Sequence, residues 1–262
     1  MAPPARLSMY SLLVVAQVLN WFTRVGMPQL IPFIVSDMVL SEAQRALLMG
    51  AFFPPYVAMQ IPAAMLERYT GAKAIIVGNL VGLGGCLLAM PAAARHSVQL
   101  LALLQGGMGF FAAFLFPIQK VLLRKWAPLS LGTERVWALR SGGFGMQAGI
   151  VGSTFLTPLL ATKYGWRRVP LIYGAATLLG GLLWQLIAVN RPAQWKGIAP
   201  DELALLEEAS EGEEEKAPGL ADAEAATKAA PALPPRLLVH PAVLATFWIN
   251  VADNASMYTL QQ

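Results

Sequence analysis

Apolar residues in this chain fall in long unbroken blocks, without the alternation that marks half-buried strands. The blocks run approximately 10–34, 44–66, 74–94, 98–123, 141–162, 169–189 and 241–261. Each is close to the ~20 residues an α-helix needs to cross a bilayer core. Continuity of the blocks predicts helices and excludes a transmembrane barrel. Connections are short except for residues 190–240. The expected architecture is an all-α membrane protein with a six-helix transmembrane bundle over 1–190. A linker over 191–240 and a seventh transmembrane helix over 241–262 follow.

Composition supports this. The chain is 56% hydrophobic and 13% charged, against roughly 25% charged for a soluble domain. The net charge of +4 hides an asymmetry, because ten of the 15 acidic residues lie between Asp201 and Glu224. The remaining chain is basic. Its Lys and Arg residues flank the spans, which suits a lipid bilayer and not nucleic acid. With the N-terminus in the cytoplasm, twelve basic residues face inward and five outward, as the positive-inside rule favours. The cluster Lys163, Arg167, Arg168 runs against the rule locally. The first apolar block is followed by further spans, so it reads as a signal anchor and not a cleaved signal peptide. Cys86 is the only cysteine, so no internal disulfide forms. His96 and His240 are far apart, and neither a metal nor a cofactor is expected.

The segment after the sixth block changes character. DELALLEEASEGEEEKAPGLADAEAATKAAPALPP is acidic, rich in Ala and Pro and without aromatics. Pro200 and Asp201 predict a short helix start, with Leu203 and Leu206 on one side. After Gly212 the composition is that of a solvated tether on the cytoplasmic side.

Polar groups inside the blocks carry the candidate chemistry. Arg24 lies 14 residues after Tyr10, roughly 21 Å along a helix. A guanidinium at mid-span costs about 2.5–3.5 kcal/mol on insertion scales. That cost is tolerable where the head group faces an aqueous cavity, and its planar fork binds carboxylate or phosphate in a bidentate way. The alternative is structural pairing with a carbonyl or carboxylate of the bundle. Asn20 stands one turn before Arg24 on the same face. Lys120 is either a second cavity cation or a side chain reaching the surface beside Arg124. Gln119, Gln147, Asn250 and Asn254 are further polar groups, suited to substrate binding or to interhelical hydrogen bonds. Asp253 suits a carrier of a coupling proton or sodium ion, or a counter-ion of Arg24. The glycines of GNLVGLGG and SGGFGMQAGIVG lie inside apolar helices, so they predict close helix packing at Gly78/Gly82 and Gly145/Gly149, not a nucleotide loop. No nucleophile–base constellation is present, so an enzyme is not expected.

Several stretches resemble the anion:cation symporter family of the major facilitator superfamily. FPIQKVLLRKWAPLSLGTERVWAL is similar to that family's P-x-x-x-x-x-x-x-K-W-x-P followed by E-R before the fifth helix. GMQAGIVGSTFLTPLLATKYGWRRVPLIYG is similar to its small-residue fifth helix and G-W-x-x-V-F-x-x-x-G. FFPPYVAMQIPAAMLERYTGAK resembles F-x-x-x-Y-x-x-x-Q-I-P-G-G, with Ala63-Ala64 replacing the two glycines. IAPDELALLEEAS resembles I-S-x-x-E-x-x-Y-I-E-x-S, and NVADNASMY resembles N-x-x-x-N-W-G-x-Y. Vesicular members carry Arg, Glu and His in the fourth helix. Here the matching positions are Gln105, Ala112 and Lys120, so their coupling charges are mostly absent. The resemblance implies secondary transport of a small organic or inorganic anion by alternating access, with Arg24 contacting the substrate. It also implies a chain made of one half-carrier plus the first helix of the other half. The alternatives are a truncated non-transporting half-carrier or incomplete gene model, and a seven-helix receptor, which lacks a retinal lysine and a matching orientation.

Overall fold

The computed structural model describes residues 4–127 and 131–207, except the side chains at 61, 64 and 68. The described residues are helical, with no strand among them. In order, the helices are α1 (Ala5–Met38), α2 (Glu42–Gly50), α3 (Phe53–His96), α4 (Val98–Ala112), α5 (Leu115–Trp126), α6 (Thr133–Tyr164) and α7 (Arg168–Ile187). A 3-10 turn at Pro192–Gln194 and helical turns over 200–207 follow. The segment expected at 241–261 lies outside the described residues.

Two apolar blocks that read as continuous are interrupted. The block 44–66 is divided at Ala51–Phe52, and the block 98–123 at Ala113–Phe114. Prolines follow both breaks, Pro54 and Pro55 in the first turn of α3 and Pro117 in the first turn of α5. Proline fits a first turn but cannot donate to the turn before it, so a helix ends there and another starts. Conversely, α3 unites the end of one expected span with the next through a kink at Gly71, where φ is 79°. Only glycine takes that conformation at low cost. Asn190 Oδ1 accepts a hydrogen bond from Lys73 N at 2.8 Å, capping the limb that starts after the kink. Ser41 and Gln44 form a capping box on α2, and Ser97 caps α4.

Four helical stretches are long and apolar enough to cross a membrane: Tyr69–His96, Val98–Trp126, Thr133–Tyr164 and Arg168–Ile187. The 34-residue α1 stands outside this set. Gln17, Asn20 and Arg24 interrupt its apolar run, and all three are buried in the bundle.

Helix α1 packs most extensively against α6, and α3 against α4 and α7. Every buried residue of α6 is small: Ala138, Gly142, Gly145, Gly149, Ser153, Thr157 and Ala161. Of these, Gly145, Gly149 and Ser153 meet α1. A Cβ on Gly145 would lie 2.8 Å from the Val14 carbonyl oxygen, and one on Gly149 2.7 Å from that of Val18. Apolar burial gives no net attraction between helices in lipid, so such close backbone approach is what holds them together. Gly82 packs under the Phe111 ring, as its spacing predicts, whereas Gly78 faces open space and is not a packing position.

Both ends of α1 are tied down. At its N-terminus the Glu202 carboxylate accepts from Ala5 N and Arg6 N, each at 3.1 Å. An anion there meets both the free amides and the positive end of the helix dipole. Arg6 bridges Glu202 at 3.6 Å and Glu134 of α6 at 2.6 Å. Leu206 is buried and Leu203 half-buried, so the expected linker helix start docks on the bundle. At the other end Asp37 accepts from Trp166 Nε1 at 3.1 Å and pairs with Arg167 at 2.5 Å. That pair offsets part of the charge that opposed the positive-inside rule. Glu202→Ala removes two charge-assisted bonds and is expected to cost about 1–3 kcal/mol. A lower melting temperature of the purified protein, with Glu202→Gln intermediate, checks this.

Candidate functional site

Arg24 is 3% exposed and is enclosed by aromatic rings. Its guanidinium carbon stands 4.4 Å from the Tyr56 ring centre, 4.5 Å from that of Trp21 and 5.2 Å from that of Phe52. Trp21 lies one turn earlier on α1. Phe52 and Tyr56 flank the start of α3 and stack on each other with centroids 5.4 Å apart. The break at Ala51–Phe52 therefore delivers two of the three rings. Its backbone is fixed from the far side by α4, where a Cβ on Gly109 would lie 2.0 Å from the Phe52 carbonyl oxygen. Ring faces carry partial negative charge, and a desolvated cation–π contact is worth about 2 kcal/mol. The aromatic neighbours add to, and do not replace, the expected surroundings of Arg24.

The polar neighbours on α1 knit helices together. Asn20 is buried, and its Oδ1 accepts from Asn79 Nδ2 of α3 at 3.1 Å. Asn79 Nδ2 also donates to the Phe111 carbonyl of α4 at 2.7 Å. One turn before Asn20, Gln17 Nε2 donates to Gln119 Oε1 of α5. A Cβ on Gly142 would strike that same Gln119 oxygen, so the amide pair fills the space the glycine leaves. Beyond Arg24, Ser153 Oγ donates to the Phe22 carbonyl at 2.9 Å and meets Thr157, which meets the Tyr173 hydroxyl at 2.7 Å.

Of the candidate residues, the structure thus gathers Asn20, Gln119 and Arg24 along α1. Lys120 is exposed on α5, its ammonium 4.7 Å from the Phe116 ring centre, and does not join the enclosure around Arg24. Gln147 is exposed on α6. Asn250, Asp253 and Asn254 lie outside the described residues. Gln17, Asn79 and the three rings were not singled out in the sequence. The two amides carried a signal, as polar residues inside apolar blocks. For the rings the only signal was the F-x-x-x-Y of the resembling stretch, which falls on Phe52 and Tyr56 around a Pro-Pro pair.

Comparison with known proteins shows the family and the fold. An ascorbate transporter of Arabidopsis thaliana chloroplasts is 28% identical over 162 residues, 62% of this chain and 29% of that protein. Vesicular glutamate transporter 1 of Bos taurus is 26% identical over 163 residues, 62% of this chain and 29% of the relative. An uncharacterised Caenorhabditis elegans transporter, slc-17.2, is 25% identical over 240 residues, 87% and 44% respectively. The chain spans less than half the length of these relatives. Among solved structures, a bacterial homologue of the human lysosomal transporter Spinster, inward-facing and occupied, superposes with a TM-score of 0.62. Identity there is 20%, over 75% of this chain and 47% of that one, so the match shows the fold. The family description "Major Facilitator Superfamily" matches residues 13–260. The resemblance in the local motifs is borne out by these relatives, and the chain belongs to the Major Facilitator Superfamily of multi-pass membrane proteins.

Proposed function

We propose that the protein is a secondary active transporter of small organic or inorganic anions, working by alternating access and coupled to a proton or sodium ion. Residues 1–190 form the first half of the carrier, 191–240 a cytoplasmic linker, and 241–262 the first helix of the second half. The N-terminus then lies in the cytoplasm with the linker. The observation that carries the reading is Arg24, a permanent positive charge buried in a helix that runs through the bundle. The relatives' names, which include ascorbate and glutamate transporters, point to anions as cargo. Broken helices near the site fit this class of carrier, in which discontinuous helices hold solute and ion. Asn20, Gln119, Gln147 and Asn254 are proposed as further polar contacts, Asp253 as the coupling group. Lys120 joins the site if the second half closes over the exposed face of α5.

Uptake of ascorbate, glutamate and phosphate into proteoliposomes, under imposed proton or sodium gradients, tests the reading. At least one anion is expected to accumulate against its own gradient. Arg24→Ala is expected to abolish that uptake while the protein still reaches the membrane. Unchanged uptake in the variant refutes the site.

A further inference from the structure

The turn between α6 and α7 gathers positive charge that the bundle does not use. Lys163 ends α6, and Arg167 and Arg168 begin α7. Asp37 pairs with Arg167. Lys163 and Arg168 are exposed and have no ion-pair partner among the described residues. We propose that Lys163 and Arg168 form a binding site for the phosphate headgroup of an anionic glycerophospholipid, with its acyl chains along the exposed faces of α6 and α7. The site is independent of any role for Arg24.

Both helices are long and apolar enough to cross a membrane, so the turn between them falls at a bilayer boundary, where headgroups lie. Counting back from Lys163 by turns of α6, the next residues on its face are Leu159 and Phe155. Counting forward from Arg168 on α7, they are Leu171 and Ile172. All four are exposed. Each cation therefore ends a column of exposed apolar side chains, which suits a phosphate at the rim with hydrocarbon beneath it. A free anion gains nothing from those columns, and that favours a lipid over a solute. Tyr164, also exposed, puts its ring centre 5.3 Å from Lys163 Nζ, and tyrosine is a residue of membrane interfaces. The turn itself is held in place. Gly165 takes a φ of 81° at the end of α6, and Trp166 is buried with its Nε1 donating to Asp37. The first turn of α7 has no acidic residue, so the helix dipole adds to the positive charge of Arg168. An anion from outside the chain supplies the missing counter-charge.

The full chain, purified in a neutral detergent, is titrated with phosphatidylglycerol or phosphatidylcholine, and retained lipid is counted by native mass spectrometry. Phosphatidylglycerol is expected to bind about tenfold or more tightly than phosphatidylcholine, and to raise the melting temperature where phosphatidylcholine does not. Lys163→Gln and Arg168→Gln are each expected to weaken phosphatidylglycerol about fivefold, and the double variant about twentyfold. Without lipid their melting temperatures stay at the parent value. Arg95→Gln removes another exposed charge, at the end of α3, and is expected to change affinity by less than about twofold. Lys163→Arg and Arg168→Lys keep the charge and are expected to stay within about threefold of the parent. Inorganic phosphate in large excess is expected to leave the lipid bound. Equal retention of the two lipids overturns the proposal. So does an Arg95→Gln loss as large as that of Arg168→Gln, or an unaltered double variant. Charge-keeping variants as impaired as the glutamine ones would show that the two residues serve structure alone. Displacement by inorganic phosphate would assign the cluster to a free anion and overturn the lipid site.

Discussion

Arg24→Lys is expected to lose nearly as much anion uptake as Arg24→Ala, although it keeps the charge. Two features of the site make the exchange costly. An ammonium is a compact, strongly hydrated point charge, and it stacks on the three ring faces around position 24 less well than a planar guanidinium does. It also lacks the planar fork, so a bidentate contact becomes a single one. Losing the stacked geometry and one charge-assisted hydrogen bond together costs about 3 kcal/mol, or roughly a hundredfold in uptake at low substrate. Initial rates at substrate far below KM, normalised to carrier in the membrane, measure the loss. A lysine variant within threefold of the parent would mean that position 24 needs only positive charge, and the aromatic enclosure would have no part in recognition.

Gly149→Leu is expected to prevent accumulation of folded protein, whereas Gly143→Leu, six residues earlier on the same helix, is expected to be tolerated. A Cβ at Gly149 would approach the Val18 carbonyl oxygen to 2.7 Å and the Trp21 Cβ to 2.9 Å, while one at Gly143 meets nothing within 4 Å. Backbone cannot rotate out of the way as a side-chain tip can. Overpacking of a well-filled interface costs about 1–3 kcal/mol for added methylenes alone, and here α1 must move bodily from α6. Because Trp21 also covers Arg24, any residual folded Gly149→Leu protein is expected to transport poorly. Size-exclusion profiles of detergent extracts distinguish the two variants. Equal monodisperse yield of both would show that the α1–α6 seam is looser than the described geometry.

Much of the fold was legible because lipid imposes a simple rule. Apolar runs of sufficient length marked the helices, and local motifs marked the family. Boundaries inside the runs were harder. At FFPP and FLFP the apolar run continues, but the backbone cannot, since proline withholds the amide that the previous turn requires. Hydropathy has no term for that. The candidate site was legible where a charged or amide side chain sat in an apolar block, as with Arg24, Asn20 and Gln119. The rings around Arg24 were not, because Phe52 and Tyr56 look like ordinary lipid-facing residues until the helix break turns them inward. Lys120 is exposed on α5, which fits both of its expected places, a cavity wall and the surface beside Arg124.

The fastening of α1 at both termini bears on how its centre can move. Glu202 and Glu134 hold one end, and Asp37 with Trp166 and Arg167 the other. A rod anchored in this way cannot slide along its own length like a piston. It can still bow. Pro28 has no N–H to give to the carbonyl of Arg24, and Pro32 has none for that of Pro28, so the stiffness of the rod falls at the residue that carries the charge. Arg24 therefore stands at the weakest hydrogen-bonded turn of a beam clamped at its ends, where bending disturbs neither anchor.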